Sequence, residues 1–229
     1  MITYNQYPNY SQNDYYSYPR PNSLDIQGPD MNSTLDELLK NLIDLCRDHN
    51  GSRVVQKKYE EGSDDDKSQI FNKLFEYIAM LSKDQFGNYV IQKLFEFSEN
   101  SRRRQIISQL EGQIHELTLD TYGCRVVQKA IDVLGIDDIK KILKEIKKDI
   151  KKCIEDQNGN HAIQKLVEKL PKGEHVDILK HVYNRVNYYL TRHLNLAHIN
   201  MDVGLSKESS NFVKIVKKKS YSTRFLTDL

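Results

Sequence analysis

Gly123-Cys124-Arg125-Val126-Val127-Gln128-Lys129 decides the architecture, because the chain writes this stretch four times at one interval. Its counterparts are GSRVVQK at 51–57, GNYVIQK at 87–93 and GNHAIQK at 159–165. The glutamines Gln56, Gln92, Gln128 and Gln164 stand 36 residues apart without slippage. A period between about 20 and 50 residues is the signature of a solenoid built from stacked supersecondary units.

On a helix at about 100° per residue, Cys124, Gln128 and Arg125 fall at about 0°, 40° and 100°, on one face, with Val126 and Val127 on the other side. The apolar pair stays of one kind in every copy: Val54/Val55, Val90/Ile91, Val126/Val127 and Ala162/Ile163. The polar triplet changes in an orderly way, from Ser52, Arg53, Gln56 to Asn88, Tyr89, Gln92, then Cys124, Arg125, Gln128, then Asn160, His161, Gln164. A constant core carrying a varied triplet suits a surface that reads a linear polymer one unit per repeat.

These copies, SR..Q, NY..Q, CR..Q and NH..Q behind a glycine and before a lysine, resemble the base-reading helices of the Pumilio, or PUF, family of RNA-binding proteins. The resemblance covers roughly residues 34–190 and agrees in period, glycine, triplet and order of triplets with the first four repeats of that family. It implies an all-α fold, a right-handed α-solenoid of three-helix repeats of 36 residues, in the family an eight-repeat crescent whose concave face holds single-stranded RNA with one base read per repeat. Four repeats are legible here, expected at about 42–77, 78–113, 114–149 and 150–185, followed by the start of a fifth.

The columns outside the signature support helical repeats. Leu42, Ile78, Ile114, Ile150 and Val186 open successive first helices, with Leu45, Leu81, Leu117 and Cys153 a turn later. Ile70, Ile106, Ile142 and Ile178, followed by Leu74, Leu110, Ile146 and Val182, mark the third helices. None of these helices buries its stripe alone, so neighbouring repeats must supply the core. Asp48, Asp84, Asp120 and Asp156 precede each glycine by three residues, where an aspartate caps a helix or holds a turn. Gly51, Gly87, Gly123 and Gly159 are expected to allow a sharp turn or a close backbone approach.

Upstream, residues 1–33 form an expected disordered arm rich in Tyr, Asn, Ser and Pro, too poor in aliphatic residues to offset chain entropy. Ser33 or Asn32 is the expected cap of a helix starting near Thr34. Downstream, residues 191–229 form an irregular tail: Asn195 stands where the next glycine is due. Re-reading each codon junction in a shifted frame lets 196–213 spell STHQYGCRVIQRILEFC, a fifth repeat with its own CR..Q triplet. The single Met codon restricts this freedom, since Met201 followed by Asp202 must then give Gly. The expectation is a retained short intron, a frameshift or an annotation error, which sequencing the transcript across codons 186–201 tests. Such a tail leaves the apolar edge of repeat 4 without the polar cap that solenoids need.

Bulk properties bound the function. The 229 residues carry a net charge of +2 and a pI near 8.2, which permits nucleic-acid binding without demonstrating it. Three scattered cysteines, Cys46, Cys124 and Cys153, fit neither a disulfide framework nor a zinc site and suggest reduced thiols. The amino terminus lacks the apolar run of a signal peptide and no stretch is long enough to span a bilayer, so the expected compartment is cytoplasmic. The seven histidines show no HExxH spacing, and GxSxG and phosphate-cradling GKS or GKT motifs are missing, so no enzyme, cofactor or metal is expected.

Under the PUF resemblance the triplets acquire roles. A uracil edge offers an acceptor and a donor, which the amides of Asn88 with Gln92 and Asn160 with Gln164 complement. Gln56 and Gln128 suit adenine, with Ser52 or Cys124 in close contact. Arg53, Tyr89, Arg125 and His161 are flat enough to stack between bases. Because the family runs antiparallel to its RNA, repeats 4 to 1 are expected to read 5'-UAUA-3' in an mRNA 3' untranslated region, regulating stability or translation. Lys57, Lys93, Lys129 and Lys165 sit at the margin of this face as candidates for phosphate contact, a solvated helix edge being the ordinary alternative. Arg102, Arg103, Arg104 and the run over 140–152 are expected to form solvated faces, or a convex surface for protein effectors, on a monomer. A HEAT- or armadillo-like protein-binding scaffold would explain the period but not the recurring glutamine beside a planar side chain.

Overall fold

The computed structural model describes residues 33–171, and all regular structure among them is helical. The tyrosine-rich arm over 1–32, Ile178, Val182, Val186 and the tail over 191–229 lie outside the described residues. The chain forms two compact units, divided after Gln109.

The first unit opens with α1 (Leu35–Lys40), whose cap is Thr34 rather than Ser33 or Asn32. Glu37 decides the position: it stands three residues beyond Thr34, so Thr34 N donates to Glu37 Oε2 (2.8 Å) while Glu37 N donates to Thr34 Oγ1 (3.3 Å), satisfying two otherwise orphaned groups. Then come α2 (Leu42–Arg47), α3 (His49–Glu61), α4 (Asp64–Leu74), a 3₁₀ turn over Phe75–Tyr77, α5 (Ile78–Ser82), α6 (Gly87–Phe97) and α7 (Asn100–Leu110). The second unit continues with α8 (Ile114–Leu119), α9 (Gly123–Val133), α10 (Ile136–Ile146), a 3₁₀ turn over Lys147–Asp149, α11 (Ile150–Glu155) and α12 (Gly159–Lys169).

The first three repeats each have a short first helix, a second helix carrying the glutamine and an outer third helix, the unit of an α-solenoid, and the described part of the fourth supplies the first two. The first helices, α2, α5, α8 and α11, are five or six residues long. Helices that short are not stable in water alone. Packing holds them: Leu42, Leu45, Ile78, Leu81, Ile114, Leu117, Ile150 and Cys153 are all buried. The third-helix columns Ile70, Ile106, Ile142 and Leu74, Leu110, Ile146 are buried with them, as is the apolar pair of every glutamine helix. Within each unit successive glutamine helices pack on one another, α3 on α6 and α9 on α12.

Polar side chains close the joints. Tyr59 and Ser98 share a buried hydrogen bond of 2.5 Å between successive repeats, and burial raises the Tyr59 pKa. The arginines expected on a solvated or partner-binding face are partly employed inside the fold. Arg103 donates to the terminal carbonyls of α6, Phe95 O at 2.8 Å and Glu96 O at 2.9 Å, because its rigid fork spans two acceptors where a helix runs out of partners. Arg102 lies over the Phe71 ring and donates to Ser68.

The glycine column answers a packing demand. A Cβ on Gly159 would fall 2.6 Å from Cys153 O, and one on Gly123 would fall 2.8 Å from Leu117 O. These contacts are with the backbone of the preceding first helix, which cannot swing away as a side chain can. Among the described residues the one glycine with positive φ is Gly112, so in the repeated column close approach, and not a left-handed turn, is what excludes a side chain.

Candidate nucleic-acid interface

Each glutamine helix is launched by its aspartate. Asp120 Oδ1 accepts from Tyr122 N (2.9 Å) and Gly123 N (2.7 Å), and Asp156 Oδ1 from Asn158 N and Gly159 N (both 2.8 Å). Asp48 and Asp84 hold the corresponding amides of the first unit. Asp84 also meets Arg47 Nε at 3.5 Å, with both side chains at or below 10% exposure. The carboxylate thus fixes the start of the helix, and with it the direction in which the next five residues point.

The three members of each triplet differ in exposure. The middle residues Arg53, Tyr89, Arg125 and His161 are exposed, Tyr89 at 43%. Gln56, Gln92, Gln128 and Gln164 are half-buried. The first members lie deepest: Ser52, Asn88 and Cys124 are buried and Asn160 is half-buried. A shared helical face does not predict this gradient. It arises because the first member sits in the opening turn, against the loop that the aspartate folds back.

That depth gives the two asparagines a particular set of bonds. Asn88 Nδ2 donates to Asp84 O and Gln85 O, both at 2.9 Å, and Asn88 Oδ1 accepts from Gln92 Nε2 at 3.0 Å. Asn160 repeats the pattern, with Nδ2 donating to Asp156 O (2.9 Å) and Gln157 O (3.0 Å), and Oδ1 accepting from Gln164 Nε2 at 3.2 Å. Both amide hydrogens of each asparagine go to backbone, and the glutamine amide is thereby oriented with its nitrogen toward the asparagine. Ser52 and Cys124 are too short for this. Ser52 Oγ donates to His49 O (3.3 Å) and Cys124 Sγ to Thr121 O (3.5 Å). Burial raises the Cys124 pKa against the opposing pull of Arg125, so the side chain there is a neutral thiol. Burial also pushes Cys153 up to about 11 and raises Cys46, which leaves three inert thiols.

The lysine column has carboxylate neighbours that the sequence reading did not single out. Lys93 Nζ meets Glu60 Oε2 at 2.8 Å, and Lys165 Nζ meets both Asp132 oxygens at 3.0 Å. Lys169 Nζ is 3.9 Å from the same aspartate. Lys57 stands 4.0 Å from Glu61 on its own helix. The signal was present as a further column, Glu60, Glu96, Asp132 and Glu168, each four residues after a glutamine. In Lys93 and Lys165 the charge is shared with the preceding glutamine helix of the same unit.

The geometry thus offers exposed planar side chains beside half-buried amide edges, a surface that can stack on flat rings and hydrogen-bond their edges. Among the described residues no cluster of His, Cys, Asp and Glu could hold a metal ion, and no helix is long and apolar enough to cross a membrane.

Comparison with known proteins identifies the family. The model of the Pumilio-family RNA binding repeat matches four times, at residues 41–75, 77–111, 113–147 and 152–181. No curated protein matches the chain. Among solved structures, the Puf3 RNA binding domain bound to the Cox17 RNA 3' UTR recognition sequence site A is similar at a TM-score of 0.62 and 33% identity, over 72% of this chain and 46% of that one. PUF-8 in complex with PBE-RNA is similar at 0.61 and 28% identity, over 70% and 45%. The RNA-binding domain of yeast Puf5p bound to MFA2 RNA gives 0.61 and 26% identity, over 69% and 45%. This chain therefore spans about half the length of the domains it resembles. Four family-model matches, an all-helical repeat and a signature on the second helix of each repeat establish that the chain belongs to the Pumilio family of RNA-binding repeat proteins.

Proposed function

We propose that the protein binds single-stranded RNA through its four glutamine helices, one base per helix, and that α12, α9, α6 and α3 in that order read 5'-UAUA-3'. The observation that carries the sequence assignment is the division of the four copies into two kinds. Helices α6 and α12 hold the glutamine amide with an asparagine, while α3 and α9 place a short side chain there. A glutamine with its nitrogen drawn toward Asn presents its carbonyl oxygen and one remaining N–H, the complement of the uracil N3 donor and a neighbouring carbonyl acceptor. A short Ser52 or Cys124 leaves more room for the larger adenine ring. Arg53, Tyr89, Arg125 and His161 stack between successive bases, each stack worth about 1–3 kcal/mol by the behaviour of single-strand binders.

The solved domains it resembles are RNA complexes, which supports the choice of ligand. In this reading the protein acts in the cytoplasm as a monomer on mRNA, adjusting stability or translation. Lys57, Lys93, Lys129 and Lys165 are candidates for phosphate contact at the margin of this face, with Lys93 and Lys165 also paired with carboxylates. Fluorescence polarisation with a labelled UAUA-containing RNA, a scrambled strand and the matching DNA tests the function. Preference for UAUA RNA is expected; equal binding to all three by folded protein would leave a protein-binding scaffold as the better account.

A further inference from the structure

One charged surface takes no part in base reading. Residues 140–152, KKILKEIKKDIKK, carry seven lysines against two carboxylates, net +5 in a chain of net +2, so everything outside this segment sums to −3. The whole positive balance of an RNA-family protein is gathered in thirteen residues at the end of α10, the 3₁₀ turn and the start of α11.

All seven lysines are exposed. At about 100° per residue the buried Ile139, Ile142, Leu143 and Ile146 of α10 share an arc of about 100°, while Lys140, Lys141 and Lys144 fall on the opposite side. Most acidic side chains of the region are engaged, while Asp137 stays exposed on the lysine side at the start of α10. Glu145 accepts from Gly112 N (2.7 Å) and Ile114 N (3.2 Å), Asp149 accepts from Lys152 N (3.2 Å), and Asp138 pairs with Lys141 at 2.8 Å. The outward ridge over 140–152 is therefore mostly lysine, with Asp137 at its α10 end and Asp149 in its 3₁₀ turn. It contains no arginine and no aromatic residue, which removes bidentate and stacking recognition and leaves point charges. Such a surface suits a partner whose charge is regular and independent of sequence, as a phosphate backbone is.

We propose that this ridge is a second, sequence-independent RNA site that takes the phosphates of nucleotides flanking the tetranucleotide. The inference rests on the RNA-reading assignment above. It adds that the bases are held by one face and the strand's charge by another within the second unit. Four bases held on α3, α6, α9 and α12 tether the flank, raising its local concentration near the ridge, so weak phosphate contacts become intramolecular.

The test compares a UAUA core oligonucleotide with the same core carrying twenty-nucleotide unstructured flanks, and with a flanked strand whose core is scrambled, across a salt series. For three or four phosphates engaged at about −0.7 each in the log–log slope, the flanked strand loses roughly twenty- to fiftyfold more affinity than the core between about 50 and 200 mM salt. Lys144→Glu, Lys148→Glu, Lys151→Glu and Lys152→Glu together should abolish that extra slope and leave core affinity unchanged. The matching set to Gln, checked for helix content, guards against a folding defect in the acidic variant. A flank advantage that is missing in the wild type, or that survives both variants, overturns the proposal, and so does displacement of the flanks by polyglutamate as readily as by polyphosphate. Ridge-dependent binding of flanked strands with UAUA and scrambled cores alike would uphold the ridge and reject base reading instead.

Discussion

The four glutamine helices are of two kinds, and the difference lies in a single neighbouring side chain. In α6 and α12 an asparagine spends both amide hydrogens on the carbonyls of the preceding turn and offers its oxygen to the glutamine four residues on. In α3 and α9 a serine or cysteine bonds only to its own preceding turn, and among the described residues no bond ties it to Gln56 or Gln128. The same residue, in the same column, is thus oriented by an asparagine in two repeats and without that tether in the other two. A preset amide loses less rotamer freedom on binding, while an unset one keeps a choice of which edge to present.

Three experiments test this contrast, and a fourth tests the ion pairs beside it. The largest effect should come from replacing both members of one oriented pair. Asn160→Ser with Gln164→Glu should move the base read by α12 from uracil to guanine, because a carboxylate accepts from the guanine N1 and N2 donors. A bidentate pair of this kind carries about 1–3 kcal/mol of discrimination, and competition binding with the four single-base RNA variants reads it. Unchanged preference would remove α12 from the reading surface.

Transplanting the asparagine is the next test. Cys124→Asn should give Gln128 the same tether and shift the base at α9 from adenine toward uracil, by about 1 kcal/mol or somewhat more on the scale of one hydrogen-bonded contact. If the preference for adenine survives, the difference between the two kinds of helix does not lie in this side chain.

Removing a tether separates orientation from space. Asn88→Ala deletes the bonds to Asp84 O and Gln85 O as well as the bond from Gln92. It should lower the unfolding free energy by about 1–2 kcal/mol and weaken uracil discrimination at α6. Ser52→Ala at the equivalent place loses one weak bond and should cost about 0.5 kcal/mol or less. Urea titrations of both variants check the asymmetry, and equal losses would contradict it.

The smallest effect concerns the ion pairs linking neighbouring glutamine helices. Asp132→Lys should weaken RNA binding slightly and Lys165→Asp more, while the double exchange should recover most of the loss if Lys165 serves its carboxylate. A pair about one-third exposed on each side is screened and worth at most about 1 kcal/mol. Failure of the exchange to recover binding would assign Lys165 to the RNA phosphate.

Much of this was legible in the sequence because a solenoid writes its core as a column. The buried positions Leu42, Ile78, Ile114 and Ile150 recur at 36 residues, and periodicity reveals them without any knowledge of partners. The aspartate turns were legible for the same reason, since a cap needs only a carboxylate at a fixed offset from local amides. The cap of α1 was placed a residue or two early because it occurs once and no column corrects it. Arg102 and Arg103 read as surface charge because nothing in a run of arginines reveals an acceptor eight residues away in the chain, such as Phe95 O.

The sequence by itself determined the repeat, the helical class and which residues form each triplet, because all three follow from spacing along one chain. Tertiary structure alone decided that the first triplet member is buried in three of the four helices, that two asparagines orient their glutamines, and that Lys93 and Lys165 pair with Glu60 and Asp132. The reason is physical. Periodicity fixes the direction in which a side chain leaves its helix, but its depth and its partners depend on the neighbouring turn and the neighbouring helix, which stand where the packed backbone puts them.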